Sequence, residues 1–270
     1  MKKYITKRTL LALIISALHF IPFYITITMA FKPMTDFSSR WSLPQSLYLK
    51  NFHIAIEKAK ILLAMKNSII ITAVSIALIL FLGATAAYPL ARIRTRFNGI
   101  ILNLVLAVMM VPPLSMLVPL YSNMSRWGGI STYWGIIVVV TTFQLPLAIF
   151  LYTNFIATIP KDLDQAASID GCNRLSIYYK IILPLLKPVT ATVVILTGVW
   201  VWNDYQFSLY FLQKPEMRTV TLAISSFFSN NTSNLNAAAA SALLAIIPIV
   251  VLYIAMQRYF IQGMVDSALK

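Results

Sequence analysis

Six runs of mostly apolar residues, spanning 9–31, 68–91, 99–121, 133–155, 184–205 and 237–257, occupy about half of this 270-residue chain. A helix rises about 1.5 Å per residue and a bilayer core is about 30 Å thick, so each run is long enough to cross a membrane as one helix. Hydrophobic residues reach 59% and charged residues only 11%, against about 45–50% and about 25% in ordinary soluble domains. The expected fold class is therefore an all-α integral membrane protein with six transmembrane helices. The first run is too long for the 7–15-residue apolar region of a signal peptide and reads as an uncleaved first span. Pro22, Pro89, Pro112, Pro113, Pro146 and Pro248 fall inside the runs and read as kinks, which packed membrane helices tolerate. Gly83, Ala84, Ala86 and Ala87 offer a small-residue face for close helix packing.

The net charge of +14 sits in Lys and Arg clusters between the runs, the pattern of membrane topology rather than of nucleic-acid binding. The expected partner surface is the lipid bilayer, with no nucleic acid. With the N-terminus in the cytoplasm, the inside set is Lys2, Lys3, Lys7, Arg8, Arg92, Arg94, Arg96, Lys161, Arg174, Lys180, Lys187, Arg258 and Lys270, which is 13 of the 22 basic residues. The dense "RIRTR" in a short loop decides the orientation, and both termini are expected to be cytoplasmic. Cys172 is the single cysteine and His19 and His53 the two histidines, so no disulfide and no metal site is expected. His19 is expected to hydrogen-bond a neighbouring helix.

Two external segments stand out. In "NFHIAIEKAKILLAMKN", Phe52, Ala55, Ile56, Ala59, Leu62 and Leu63 recur at helical spacing, which predicts an interfacial amphipathic helix. The segment 211–236 carries "SNNTSN" and reads either as a solvated connector or as a surface for a soluble partner.

Between the fourth and fifth runs lies "DLDQAASIDGCNRLSIYYKIILPLLKP", from 162 to 188. Asp162 and Asp164 suit the first turn of a helix and Gly171 suits its C-terminal left-handed position, so a short helix is expected from about 161 to 169. Leu163, Ala166, Ala167 and Asp170 share one face at three- and four-residue steps. That face is shallow and suits a cleft on another protein; the rival reading is an ordinary connecting loop. Asn173 can cap a second helix leading into Pro184.

This segment resembles the EAA signature of ABC-importer permeases: Ala166, Ala167, Asp170, Gly171, Ile181, Leu183 and Pro184 match as they stand, while Gln165 stands where that family has Glu. Asp164 beside it could supply the missing charge. "FKP" at 31–33, "KNS" at 66–68, "AAYPLAR" at 86–92, "WND" at 202–204 and "QRYFIQG" at 257–263 are similar to the carbohydrate-uptake branch, in particular the second permease subunit of maltose-type importers. The resemblance implies a type I permease core of five helices over 68–270, preceded over 1–67 by an N-terminal span and external loop. It implies that the loop 160–184 holds a cytoplasmic coupling helix between helices 4 and 5, with Gln165, Ala166, Ala167, Asp170 and Gly171 at the ATPase contact. Implied partners are a second homologous permease subunit, two cytoplasmic ABC ATPase subunits and an extracytoplasmic solute-binding protein. The implied setting is a bacterial or archaeal plasma membrane, and the cargo a sugar or oligosaccharide. The final "DSALK" follows the family's tail only loosely.

The chain has no G-x-x-x-x-G-K phosphate loop, so it is expected not to be an enzyme and to bind no cofactor, with ATP and Mg on the partner ATPases. In "GVWVWNDYQF", Trp202, Asn203, Asp204 and Tyr205 are substrate-pathway candidates, because an ionisable group at membrane depth is costly; the bland reading is an aromatic belt at a polar helix end. Thr141, Thr142, Gln144, Asn123 and Ser125 are weaker pathway candidates. Two alternatives remain: an ABC permease for a polyamine, phosphodiester or osmolyte, and a secondary transporter acting alone. The second would want several intramembrane carboxylates, and Asp204 is the one acidic residue near any span.

Overall fold

The computed structural model describes residues 7–228 and 234–268, with side chains over 9–228 and 234–257. In chain order the helices are α1 (Lys7–Ala30), α2 (Lys50–Glu57), α3 (Ile61–Arg92), α4 (Arg96–Val108), α5 (Leu117–Arg126), α6 (Tyr133–Thr158), α7 (Asp162–Ile169), α8 (Arg174–Ile177), α9 (Leu183–Leu185), α10 (Lys187–Trp202), α11 (Gln206–Phe211), α12 (Val220–Ser225) and α13 (Leu235–Ala268). Among the described residues every regular element is helical. Among the described residues four helices are long and apolar enough to cross a membrane: α1, α3, α6 and α13.

Two of the expected spans are broken rather than continuous. α4 and the segment Pro113–Arg126 meet at 96°, and Arg174–Leu185 meets α10 at 71°. At the first break Pro112 is extended, with ψ 126°, the conformation that a proline next in sequence favours for the residue before it. Pro112 and Pro113 thus stand between two helices, after α4 has ended at Val108 and where Pro113 opens a 3-10 turn, a correction to the expected kink. Pro22, Pro89, Pro146 and Pro248 do lie inside helices.

The chain divides into two compact units, Met1–Met65 with Val220–Ile247, and Lys66–Thr219 with Pro248–Lys270. The segment Val220–Ile247 thus groups with the N-terminal part of the chain. One reason lies at the end of α1, where Asn236 from the start of α13 donates to the Lys32 carbonyl at 2.7 Å.

In the first unit, Lys32 is buried and its ammonium donates to the Ser38 and Ser42 hydroxyls, each at 2.9 Å, and to the Ser39 carbonyl at 2.8 Å. These bonds spend all three ammonium donors. Asn51 of α2 donates to the Ala30 and Lys32 carbonyls. The loop after α1 folds back along it, so that Tyr24 donates to the Trp41 carbonyl at 2.6 Å and Thr28 to the Arg40 carbonyl at 2.9 Å. Asp36 is held below the ordinary carboxylate range by hydrogen bonds from Ser38 and by Lys32. The amphipathic helix is shorter than expected: α2 stops at Glu57, the chain turns through Lys60 at φ 50°, and Leu62 and Leu63 belong to α3. Its buried residues are Asn51 and Ala55, while Ile56 is exposed. His19 bonds the Ile15 carbonyl of its own helix at 2.7 Å rather than a neighbouring helix.

In the second unit, α3 and α6 run side by side. Gly83 permits this, since a Cβ there would stand 3.0 Å from the Ala148 Cβ. Near one end, Asn67 accepts from the Tyr133 hydroxyl at 2.7 Å and donates to the Glu216 and Arg218 carbonyls. At the other end, Arg92 donates to the Ile159 carbonyl at 2.9 Å. The two helices are thus parallel, and at about 48 Å and about 39 Å both exceed the bilayer core. Chain connecting the end of one parallel helix to the start of the next must return along their length, so 93–132 leads back from the Arg92 end to Tyr133, and 160–215 from the Ile159 end to Glu216. Each bent pair lies in one of those stretches. The core of this unit joins Ile79 and Ala87 of α3, Tyr152 and Ile156 of α6, and Ile182 and Val193 from the bent pair that ends in α10.

Candidate functional site

α7 and the turn after it lie at the Arg92 end of the second unit. Gly171 has φ +84°, the Gly171 amide donates to the Ser168 carbonyl at 3.1 Å and the Cys172 amide to the Ala167 carbonyl at 2.9 Å. That pair of bonds is a Schellman closure, which satisfies carbonyls the helix end leaves open. Ala167 and Cys172, the two positions whose apolar contact accompanies such a closure, both pack in the core of the unit. Asn173 then accepts from the Ser176 amide at 2.8 Å and starts α8. A π-helical segment, Tyr178–Ile182, carries the chain on to α9.

The face of α7 differs from the expectation in one residue. Ala167, read as part of the outward knob, is only 5% exposed and packs in the core of the unit. Helical spacing grouped it with Leu163, Ala166 and Asp170, yet a set of small side chains carries no signal for which edge of the set turns inward. Leu163, Gln165, Ala166 and Asp170 are exposed. Two residues were missed: Ile169 is 86% exposed and Leu175 is 69% exposed. Their signal was present as large apolar residues in an otherwise polar segment. Leu163 and Ile169 each stand three residues from Ala166 on α7, on the same side of the helix.

Asp164 does not point outward as a substitute for the family Glu. Its carboxylate accepts from the Tyr88 hydroxyl at 3.0 Å and lies 2.9 Å from the Arg92 guanidinium, outside the angles of a linear hydrogen bond. The side chains of Arg92 and Asp164 are 8% and 18% exposed. Tyr88 packs on Tyr178 with ring centroids 5.3 Å apart, and Tyr178 lies 3.4 Å from the Thr85 hydroxyl.

At the opposite end of the unit, Asp204 is 8% exposed. Its carboxylate accepts from the Phe207 amide at 3.2 Å and from the Ser208 amide and hydroxyl, both at 2.8 Å. It caps α11, which accounts for a buried acid at the end of a span. Trp202 is buried, whereas Asn203 and Tyr205 are exposed; Asn203 bonds back to the Val199 carbonyl at 2.8 Å. Thr141 and Gln144 are buried in α6, Thr142 bonds the Val138 carbonyl, and Asn123 and Ser125 are exposed. The "SNNTSN" tract apart from Asn234, the side chains of "QRYFIQG" beyond Gln257, and those of "DSALK" lie outside the described residues.

Residues 79–266 match a family described as the binding-protein-dependent transport system inner membrane component. The melibiose/raffinose/stachyose import permease protein MelC of Bacillus subtilis (strain 168) is 44% identical over 263 residues, covering 97% of this chain and 95% of the relative. The probable starch degradation products transport system permease protein AmyC of Thermoanaerobacterium thermosulfurigenes is 35% identical over 263 residues, covering 97% and 96%. In solved structures, a chain of a bacterial ABC transporter involved in the import of the acidic polysaccharide alginate superposes with a TM-score of 0.79 at 21% identity, over 94% of this chain and 95% of that one. At that identity the likeness speaks for the fold.

Proposed function

The chain belongs to the family of binding-protein-dependent transport system inner membrane components, a multi-pass membrane protein and not an enzyme, and from that premise we propose that it is one permease subunit of an ATP-driven importer for a sugar or oligosaccharide. The observation that carries the reading is the α7 turn: a short helix closed by Gly171, with Leu163, Ala166, Ile169 and Leu175 exposed beside it. An exposed apolar patch on a polar loop marks a docking surface. Its partner is a cytoplasmic ABC ATPase pair that carries ATP and Mg, with Gln165 and Asp170 as the polar rim. A second permease subunit lies beside this one, and an extracytoplasmic solute-binding protein delivers cargo. This chain holds no cofactor of its own. Closure of the ATPase pair moves α7 and switches the pathway between two packed states. Asn203 and Tyr205 are the pathway candidates that remain free to face cargo, since Asp204 is engaged in its cap and Trp202 is buried.

The cargo class rests on the relatives, whose names speak of oligosaccharide and starch-product transport. A polyamine, phosphodiester or osmolyte finds no support among those two. The test is copurification of the ATPase with tagged permease, together with uptake of melibiose, raffinose and maltodextrins by cells expressing the full complex. Ala166→Arg places a bulky charge on the exposed docking face and is expected to abolish ATPase recovery at unchanged permease abundance. Full ATPase recovery with that variant would refute the docking assignment, and uptake of none of the three sugars would refute the cargo class.

A further inference from the structure

We propose that Arg92 and Tyr88 are positioning residues that fasten α7 to the end of α3, so that any displacement imposed on α7 is delivered to α3 rather than absorbed in the loop. The inference rests on the coupling role of α7 but concerns residues outside the docking face.

Three elements meet at one guanidinium. Arg92 is the last residue of α3. One of its terminal nitrogens donates to the carbonyl of Ile159, the residue that ends α6, at 2.9 Å, and the other lies 2.9 Å from the Asp164 carboxylate in the first turn of α7. A cation at the C-terminal ends of two helices and an anion in the first turn of a third are each placed where the helix dipoles favour them. Tyr88, one turn earlier on α3, donates to the second carboxylate oxygen at 3.0 Å. Asp164 is thus held by two side chains of a single helix turn, a two-point attachment that resists rotation as well as translation. Tyr88 also packs on Tyr178, so the chain leaving the α7 turn is braced against the same turn of α3. Because α3 continues as one helix from this clamp to Asn67 at the far end of the unit, a shift at Arg92 reaches both ends. In this way Arg92, placed in the basic loop by topology, acquires a mechanical task that Arg94 and Arg96, both exposed, do not share.

The test uses the full complex in reconstituted vesicles. Spin labels are placed on Lys161→Cys, beside α7, and Ile69→Cys, at the far end of α3, in a Cys172→Ser background. Their separation is read without nucleotide and after trapping with ATP, Mg and vanadate. The expected result is an unchanged separation in the parent protein and a shifted one in Asp164→Asn and Arg92→Gln. Arg92→Lys retains the charge but cannot hold Ile159 and Asp164 together, and is expected to lie between. Tyr88→Phe removes a single hydroxyl and so tests the clamp without threatening the fold. A separation that shifts in the parent, or that stays fixed in both Asp164→Asn and Tyr88→Phe, overturns the proposal. ATPase recovery is measured alongside: it is expected to stay at the parent level in every clamp variant. Loss of recovery in Asp164→Asn would make Asp164 a docking contact and would also overturn the clamp. Failure of the docking reading shows itself separately, as full recovery with Ala166→Arg.

Discussion

Gly171 stands at φ +84° with open space where a Cβ would be, so substitution there is resisted by the backbone alone and not by a clash. A non-glycine residue in this region costs about 1–2 kcal/mol, Asn less than others and β-branched residues more. Gly171→Val is therefore expected to reduce ATPase recovery severely and Gly171→Asn only mildly, at similar membrane abundance. Equal recovery in both would show that the left-handed turn is not what positions α7. Asp204 carries a different kind of constraint. Its carboxylate serves the amides of Phe207 and Ser208, both buried, and those donors would be orphaned by Asp204→Ala. Loss of a cap costs about 1–2 kcal/mol and each orphaned buried donor about 1–3 kcal/mol. The detergent-solubilised protein is expected to unfold several degrees lower with Ala and to lose clearly less with Asn, which keeps one acceptor oxygen. Unchanged unfolding with Ala would return Asp204 to the pathway candidates.

At the scale of elements, Ala167 and Ala166 are neighbours in sequence with opposite surroundings, buried and exposed. Ala167→Arg is expected to lower membrane abundance sharply, because an arginine forced into the core of the unit brings an unpaired charge with it. Ala166→Arg leaves abundance alone. Parent-level abundance of Ala167→Arg would mean that α7 rolls to expose that position. What was legible in the sequence here was local chemistry: Gly171 and Asn173 act through bonds within five residues, so their types and spacing suffice. The inward edge of α7 was not legible, because it is set by Tyr88 and Arg92, about seventy residues earlier. The broken spans failed for another reason. Apolar length cannot distinguish one straight helix from two meeting at 96°, and a Pro-Pro pair adds a second missing amide donor to the bias that a proline puts on the residue before it.

For the whole molecule, the contacts of the second unit sort its polar residues onto two faces without reference to charge. Arg92, Ile159 and Asp164 are joined at one face, and Asn67, Tyr133, Glu216 and Arg218 at the other. Phe211, Gln213 and Lys214 join the second face through Ser131. In sequence, Arg94, Arg96, Lys161, Arg174, Lys180 and Lys187 lie in the segments next to the first face, and Lys66, Arg126 and Lys214 in those next to the second. Short basic loops tend to stay in the cytoplasm, so the Arg92 face is predicted to be the cytoplasmic one, the side on which an ATPase would meet α7. The measurement is labelling of single cysteines by a membrane-impermeant maleimide in a Cys172→Ser background. Arg94→Cys, Arg96→Cys and Lys180→Cys are expected to react only after permeabilisation, and Arg126→Cys and Lys214→Cys in intact cells. Arg92→Cys is a poor reporter, since its position is engaged with Ile159 and Asp164. Reversal of both sets would invert the orientation and leave the fold standing. A split within one set, with Arg94→Cys and Lys180→Cys on opposite sides, would contradict the parallel arrangement of α3 and α6, and with it the clamp that joins α3 to α7.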